Sequence, residues 1–219
     1  MGTITRTFAN NITTSGVFKP TAFNNASFDN VTAVPEGAVE GGSMVLLSTQ
    51  TASGDASISF TTGIDSTYKE YMFIFNNIHP ATDLTQFQVN FSTDSGSNYN
   101  VTKTTTNFQA YHNEADGSTL LSYSGSWDLA QSTSVQPLTI NTGNDNDQSV
   151  SGYLHLFEPS STTFVKHFIS NTNTISSDDY SVNVYVAGYG NTTSAINAVQ
   201  FTMSSGNIDA GTIQMFGIL

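Results

Sequence analysis

Apolar and polar residues alternate along most of the chain after residue 43, most clearly near the C-terminus. Every second residue of 199–203 (VQFTM) is apolar, and a period of two predicts a strand with one buried face. Turn-forming residues follow, and residues 213–218 are then apolar on both faces. An exposed edge strand of this kind would promote aggregation. We therefore expect the last strand to lie inside a sheet.

Similar strand signals recur at short intervals, and helical periodicity is absent. The richest segment is 69–78, whose two apolar faces predict a central strand. Residues 87–91 alternate strictly and predict a half-exposed strand. The remaining predicted strands are 44–48, 58–60, 101–110, 135–141, 149–157, 163–170 and 181–189. The predicted core includes Phe73, Phe75, Phe201, Met203, Ile213 and Met215. This density of strands predicts an all-β fold, an antiparallel jelly-roll-like β-sandwich over residues 44–219.

One hairpin allows a prediction of register. A four-residue loop at 159–162 would place Phe157 opposite Phe164, His155 opposite Lys166 and Leu154 opposite His167. In that register His155 and His167 lie on opposite faces of the sheet, which argues against a shared metal site.

Residues 1–43 have a different pattern. Their apolar side chains occur singly between chain-breaking residues, so this segment cannot build a core of its own. We expect an extended N-terminal arm that needs a partner surface, with a disordered tail as the alternative. The apolar residues of this predicted assembly arm are Ile4, Phe8, Ile12, Phe18, Phe23 and Phe28.

Composition and charge exclude several classes of partner. Five lysine and arginine residues face seventeen acidic ones, for a net charge of -12. Nucleic-acid binding proteins neutralise several phosphates with clustered cations, so we expect no nucleic-acid partner and no anionic membrane surface. No apolar run approaches the ~20 residues of a membrane helix. The chain start lacks the apolar core of a signal peptide, so we expect no export by that route.

Motifs for catalysis and metal binding are weak or missing. The chain contains no cysteine, and no glutamate has an obvious carboxylate partner for glycoside hydrolysis. The sequence NDND at 144–147 offers oxygen ligands for calcium but lacks the later glutamate of an EF-hand loop. A turn held by Asx hydrogen bonds is the simpler interpretation. We therefore expect a protein that is not an enzyme and that uses no cofactor and no metal.

An aromatic platform is the best candidate for a binding site. Trp127, the single tryptophan, follows Tyr123, while Tyr111 and His112 precede them in the same polar segment, 112–136. Such rings could stack on a sugar, helped by neighbouring Asn and Asp. The alternative is that Trp127 closes one end of the sandwich. We expect loops at one end of the sandwich to make the contact.

Three stretches resemble known proteins: MGTITRTFANN at the start, GIDSTYKEY followed by NNIHP in the middle, and SSGNIDAGTI near the end. The chain resembles virion surface proteins of marine tailed bacteriophages that infect cyanobacteria. The resemblance spans most of the chain and implies a phage structural protein on the particle surface, assembled in the host cytoplasm. It transfers no catalytic or binding residue and assigns neither head nor tail.

The expected function is therefore that of a virion structural protein, associated with a tail fibre or baseplate and adhesive towards host-surface glycan. A head-decoration or head-fibre protein is the alternative, and a free carbohydrate-binding module is a further one. The arm predicts contacts with other virion proteins and a homo-oligomer, for which we expect a trimer.

Overall fold

The computed structural model describes residues 43–219, so every prediction about the arm and its six apolar residues lies outside the described residues. The described part is all-β, as predicted. Its twelve strands are β1 (Met44–Thr51), β2 (Ser57–Phe60), β3 (Glu70–Pro80), β4 (Phe87–Ser92), β5 (Lys103–Asn113), β6 (Thr119–Tyr123), β7 (Gln136–Pro137), β8 (Val150–Phe157), β9 (Lys166–Ile175), β10 (Tyr180–Gly190), β11 (Ala198–Met203) and β12 (Ile208–Ile218).

The strand order is that of a jelly roll with an extension. One sheet has the order β1-β12-β3-β8-β9-β10-β5-β6, and the other has the order β2-β11-β4-β7. The first four strands of the large sheet and the four strands of the small one interleave as two four-stranded sheets of a jelly roll. We call these eight strands the jelly roll, and we call β9, β10, β5 and β6 the extension. The prediction of a jelly-roll-like sandwich is confirmed.

The core of the jelly roll is aromatic and aliphatic. Phe73 of β3 lies 5.3 Å from Phe60 of the opposite sheet, and Phe75 lies 5.2 Å from Phe201, measured between ring centroids. All six predicted core residues are buried. Strand β3 lies between β12 and β8, and β12 lies between β1 and β3. The predictions of a central β3 and an internal last strand are confirmed.

The inner face of the extension is apolar on β10 and largely polar on β5 and β9. Val182, Val184 and Val186 of β10 and Phe168 of β9 join the hydrophobic core, whereas polar side chains dominate the rest of β9 and β5. Thr105 Oγ1 donates to Gln136 Oε1 at 2.6 Å, and Thr174 Oγ1 donates to Thr142 Oγ1 at 3.2 Å. Residues 136–142 therefore cover this face through hydrogen bonds. Two lysines are also fully buried there, Lys103 of β5 and Lys166 of β9, and both pair in register with Gly190 of β10.

Strand β4 is buried on both faces, so the prediction of a half-exposed strand is wrong. Its polar residues include Asn90, whose Nδ2 donates to the carbonyl of Tyr99 at 2.6 Å and to that of Thr133 at 3.2 Å. The loops that contain Tyr99 and Thr133 therefore cover the face of β4 that the alternation predicts to be exposed to solvent. Alternation shows which face of a strand is polar, but it does not show whether that face is exposed. A polar face is buried when loops that cover it supply hydrogen-bond partners.

The predicted hairpin register is also wrong. The structure pairs Leu156 with Phe168 and His155 with Ile169, because the connection runs from 158 to 165 and β9 begins only at Lys166. Glu158 is left-handed (φ 42°), and its N–H donates to the carbonyl of Lys69 at 2.6 Å, which turns the chain away earlier than a four-residue loop would. His155 and His167 consequently lie on the same face of the sheet.

Two further expectations require correction. The polar segment 112–136 contains the end of β5 and the unpredicted strand β6, so Tyr111, His112 and Tyr123 lie on strands rather than on end loops. Of the predicted strand 135–141, only Gln136 and Pro137 pair with β4. The remaining residues are irregular, since the hydroxyl of Thr139 bonds to that of Thr142 and to the N–H of Phe87.

Candidate functional site

The surface of the large sheet that faces away from the small sheet is unusually apolar. We call it the outer face. Eight of the thirteen exposed large hydrophobic residues of 43–219 lie on it, namely Met44, Leu46, Phe108, Leu121, Tyr123, Tyr153, Ile169 and Tyr185. Contiguous exposed apolar surface on a soluble domain generally marks an interaction site. The outer face is therefore the candidate functional site.

Four aromatic side chains line up across the strands of the outer face. The register places Tyr123 opposite Phe108 and Phe108 opposite Tyr185. The row continues through Asn171 of β9 to Tyr153 of β8. Phe108 and Tyr185 stack with centroids 5.0 Å apart and an interplanar angle of 7°. We call Tyr123, Phe108, Tyr185 and Tyr153 the aromatic row.

A groove of about 450 Å³ lies beside the aromatic row. Its floor is formed by Ala187 and the backbone of Gly188, with Ile169 and Thr106 on the flanking strands. Across the groove from the aromatic row stand His167, Tyr189 and Thr104, with the His167 and Tyr189 rings 6.1 Å apart. The groove exists because β10 carries a small side chain, Ala187, between two tyrosines on the same face.

Amide side chains lie within the aromatic row, at Asn171, and next to it on the side away from the groove, at Asn173 and Asn183. Asn171 Nδ2 donates to Asn183 Oδ1 at 3.1 Å, and Asn183 Nδ2 donates back to Asn171 Oδ1 at 3.3 Å. Asn173 Nδ2 donates to Ser181 Oγ at 3.1 Å. We call Asn171, Asn173 and Asn183 the amide ladder. It provides donors and acceptors without formal charge.

The groove carries no Asp, Glu, Lys or Arg side chain in its lining. At the end of the aromatic row the Tyr123 hydroxyl donates to Asp128, and this hydrogen bond raises the pKa of Tyr123. Of the three lysines among residues 43–219, two are buried and Lys69 lies 3.3 Å from Glu158. The described surface is thus acidic overall, with a neutral groove.

The structure brings together only part of the predicted aromatic platform. Tyr123 and His112 lie on the outer face, but Tyr111 points to the inner face, where its ring packs edge-on against Tyr180 at 5.3 Å. Trp127 is half-buried in a segment that hydrogen-bonds along the edge of β5, and its carbonyl accepts from Gln136 Nε2 at 2.9 Å. The four residues therefore do not form one surface.

Sequence reasoning missed Phe108, Tyr153, Tyr185 and the residues of the groove. The available signal was the alternation in β10, in which Val182, Val184 and Val186 occupy one face and Tyr185 and Tyr189 the other. Recognising the site also required the order β8-β9-β10-β5-β6, which joins strands distant in sequence.

Among residues 43–219 no group of three or more His, Asp or Glu side chains is placed to hold a metal ion. The described residues include no helix long and apolar enough to cross a membrane. The turn at 144–147 is held by Gln148, whose N–H donates to the carbonyl of Asp145 at 2.8 Å and whose Oε1 accepts from the N–H of Asp145 at 3.2 Å.

Comparison with known proteins gives no family for this chain. No family model matches it, and neither a curated protein nor a solved structure is significantly similar to it.

Proposed function

We propose that this protein is a structural and adhesive component of a tailed-bacteriophage particle, associated with a tail fibre or baseplate, and that its outer face binds a neutral glycan of the host surface. The aromatic row is the observation that carries the adhesive part of the proposal. Exposed, pre-ordered rings offer apolar surface to the C–H face of a sugar at little entropic cost. The virion assignment is supported by the resemblance of three sequence stretches.

Binding to host cells tests the adhesive role. Tyr185→Ala removes the ring that is central to the aromatic row, and a stacking contact of about 0.5–1.5 kcal/mol corresponds to roughly a threefold to tenfold loss of affinity per site. Phe164→Ala is the matched control, because Phe164 is 69% exposed but lies in the 158–165 connection away from the row. Equal binding by both variants and the unmodified chain would contradict the proposal.

Copy number in the particle distinguishes the two virion roles. A low copy number indicates a tail or baseplate protein, whereas a number comparable with that of the capsid subunits indicates head decoration or a head fibre. A free carbohydrate-binding module would be missing from purified particles altogether.

We also propose that the chain is a homo-oligomer, most simply a trimer, whose N-terminal arm contacts other virion proteins. The singly spaced apolar residues of the arm support this, because isolated phenylalanines need a surface to cover them. The mass of the full chain in solution tests it, and a monomer at all concentrations would contradict it. In an oligomer, weak glycan contacts would be strengthened by avidity.

A further inference from the structure

We propose that the groove holds a single unbranched chain of a neutral polysaccharide, running across β9, β10 and β5 parallel to the aromatic row. The inference rests on the proposed glycan-binding function and specifies the form, charge and position of the ligand. It also places the site on the outer face rather than on the end loops or at Trp127.

The shape of the groove favours a single chain. The floor at Ala187 lies between Tyr185 and Tyr189, which are two residues away in either direction on the same face of β10. At about 3.3–3.4 Å per residue the two tyrosines are roughly 13 Å apart along the strand. That width admits one sugar ring flanked by side chains and leaves no room for branches at the level of the floor.

The direction of the groove follows from the register. Its floor residues Ile169, Ala187 and Thr106 are directly paired on three adjacent strands, so the groove runs perpendicular to the strands. Adjacent strands are ~4.8 Å apart, which is close to the advance per sugar residue in an extended polysaccharide. The aromatic row has the same direction and spacing, so successive sugars pass alongside Asn171, Tyr185 and Phe108 in turn.

The polar groups around the groove suit hydroxyl groups rather than ions. Thr104 and Thr106 line one end of the groove. Asn171 of the amide ladder lies in the aromatic row, and Asn173 and Asn183 lie beyond it. Hydroxyls and amides both donate and accept hydrogen bonds, as sugar hydroxyls do. A polyanionic glycan would have to approach a chain with a net charge of -12 without a cation in the groove, so neutral polysaccharides are favoured.

A second copy of the chain is the main competing occupant of this surface. Two copies carry the same excess of negative charge, and docking would bury the amide ladder against an identical surface. A neutral polysaccharide is not repelled by the negative charge of the protein. Its C–H faces can contact the apolar floor of the groove, and its hydroxyl groups can bond to the hydroxyl groups at the edge. The experiment below therefore measures mass as well as binding.

Affinity electrophoresis of the full chain provides the test, with hydroxyethylcellulose, amylose and linear mannan as neutral probes and alginate as the linear polyanion. We expect at least one neutral polymer, and not alginate, to retard the unmodified chain. Ala187→Glu places a charged side chain on the floor and should weaken binding at least about tenfold, while Tyr189→Ala should weaken it about threefold to tenfold.

Ala110→Glu is the matched control, because Ala110 is exposed on the outer face of neighbouring β5 but lies outside the groove. It adds the same charge and should retain binding within about twofold. Equal losses in the two Glu variants would overturn the assignment to the groove. A lower oligomer mass for Ala187→Glu alone would identify the groove as an interface between copies and would equally overturn it.

The result also separates this inference from the proposed function. If the chain binds host cells but none of the three neutral polymers, the groove assignment fails and the adhesive role stands. If it binds neither cells nor polymers, both fail.

Discussion

The jelly roll and the extension solve the same folding problem with different chemistry. In the jelly roll, Phe60, Phe73, Phe75, Phe87 and Phe201 form a connected cluster of rings between the two sheets. In the extension, polar residues of the inner face bond to side chains of the small sheet and of residues 136–142: Lys103 to Asn90, Thr105 to Gln136 and Thr174 to Thr142. The small sheet has four strands and the large one eight, so irregular segments must cover the remainder.

This difference assigns different roles to the two regions. Burial of apolar surface is the dominant favourable term in folding, so the jelly roll should provide most of the free energy of unfolding. The inner face of the extension buries four apolar side chains, Phe168, Val182, Val184 and Val186, and otherwise contributes hydrogen bonds, each worth only about 1 kcal/mol net. Its outer face carries most of the aromatic row and the groove. The residues on the outer face of the extension can therefore change with less effect on the hydrophobic core than residues elsewhere in the large sheet.

The largest expected effect is in the ring cluster. Phe73→Ala should lower the free energy of unfolding by about 3–5 kcal/mol, because Phe73 is fully buried between Phe60 and Phe201 and its removal leaves a cavity. Urea denaturation of the full chain measures the change. Phe164→Ala, an exposed phenylalanine, should change stability by less than about 0.5 kcal/mol. A cost below about 1 kcal/mol for Phe73→Ala would place the main core elsewhere.

The same contrast explains how much could be predicted from the sequence. Most jelly-roll strands follow from alternation, because aromatic and β-branched residues on a pleated surface identify their buried face directly. The exceptions are β4, which is buried on both faces, and β7, which is only two residues long. The extension was predicted less well. Strand β6 is a short edge strand with exposed Leu121 and Tyr123, and β9 begins three residues later than predicted. Strand β10, with valines on its inner face, was predicted closely as 181–189. The inner faces of β5 and β9 are largely polar and give a weaker periodic signal.

The site could be predicted even less well, for a related reason. Tyr123 was identified because it stands near the single tryptophan, but Tyr185 and Phe108 come together only through the pairing of β10 with β5. Tyr111 and His112 are adjacent in sequence and face opposite sides of a strand. Neighbours in sequence were therefore poor guides to neighbours on the outer face.

The second prediction concerns the buried lysine of the extension. Lys103 Nζ donates to Asn90 Oδ1 at 2.6 Å and to the carbonyl of Val101 at 2.8 Å, and neither acceptor is charged. Burial lowers the pKa of Lys103 to about 8 from 10.5. Between these two pH values the unfolded chain binds more protons than the folded one, so this group makes stability rise with pH by about 2 kcal/mol from pH 8 to 10.

Lys103→Met isolates that effect. At pH 7 the variant should be more stable than the unmodified chain by about 1–3 kcal/mol, because it removes the cost of burying an unpaired ammonium. The advantage should shrink towards pH 10, where the lysine is neutral in the folded protein. Urea midpoints from pH 7 to 10 measure it. A constant difference across this range would show that Lys103 is not buried as a charge. Burial of this lysine would then lower the free energy of unfolding less than expected from the comparison of the extension with the jelly roll.

The smallest effect tests whether the polar interior of the extension is fully satisfied. Asn107 is fully buried on the inner face of β5, and neither its Oδ1 nor its Nδ2 has a hydrogen-bond partner among the described residues. A buried amide without partners costs about 1–3 kcal/mol, so Asn107→Leu, which has the same number and branching of side-chain heavy atoms, should raise the free energy of unfolding by about 1–2 kcal/mol. Asn90→Leu is the control, since Asn90 is also buried but bonds to Lys103 and to the carbonyls of Tyr99 and Thr133. Its replacement should destabilise the protein by at least about 1–3 kcal/mol, because it leaves the lysine without its side-chain acceptor.

The contrary outcome is that Asn107→Leu destabilises the protein as Asn90→Leu does. The amide of Asn107 would then have a hydrogen-bond partner in solution, and the polar groups on the inner face of the extension would be fully hydrogen-bonded.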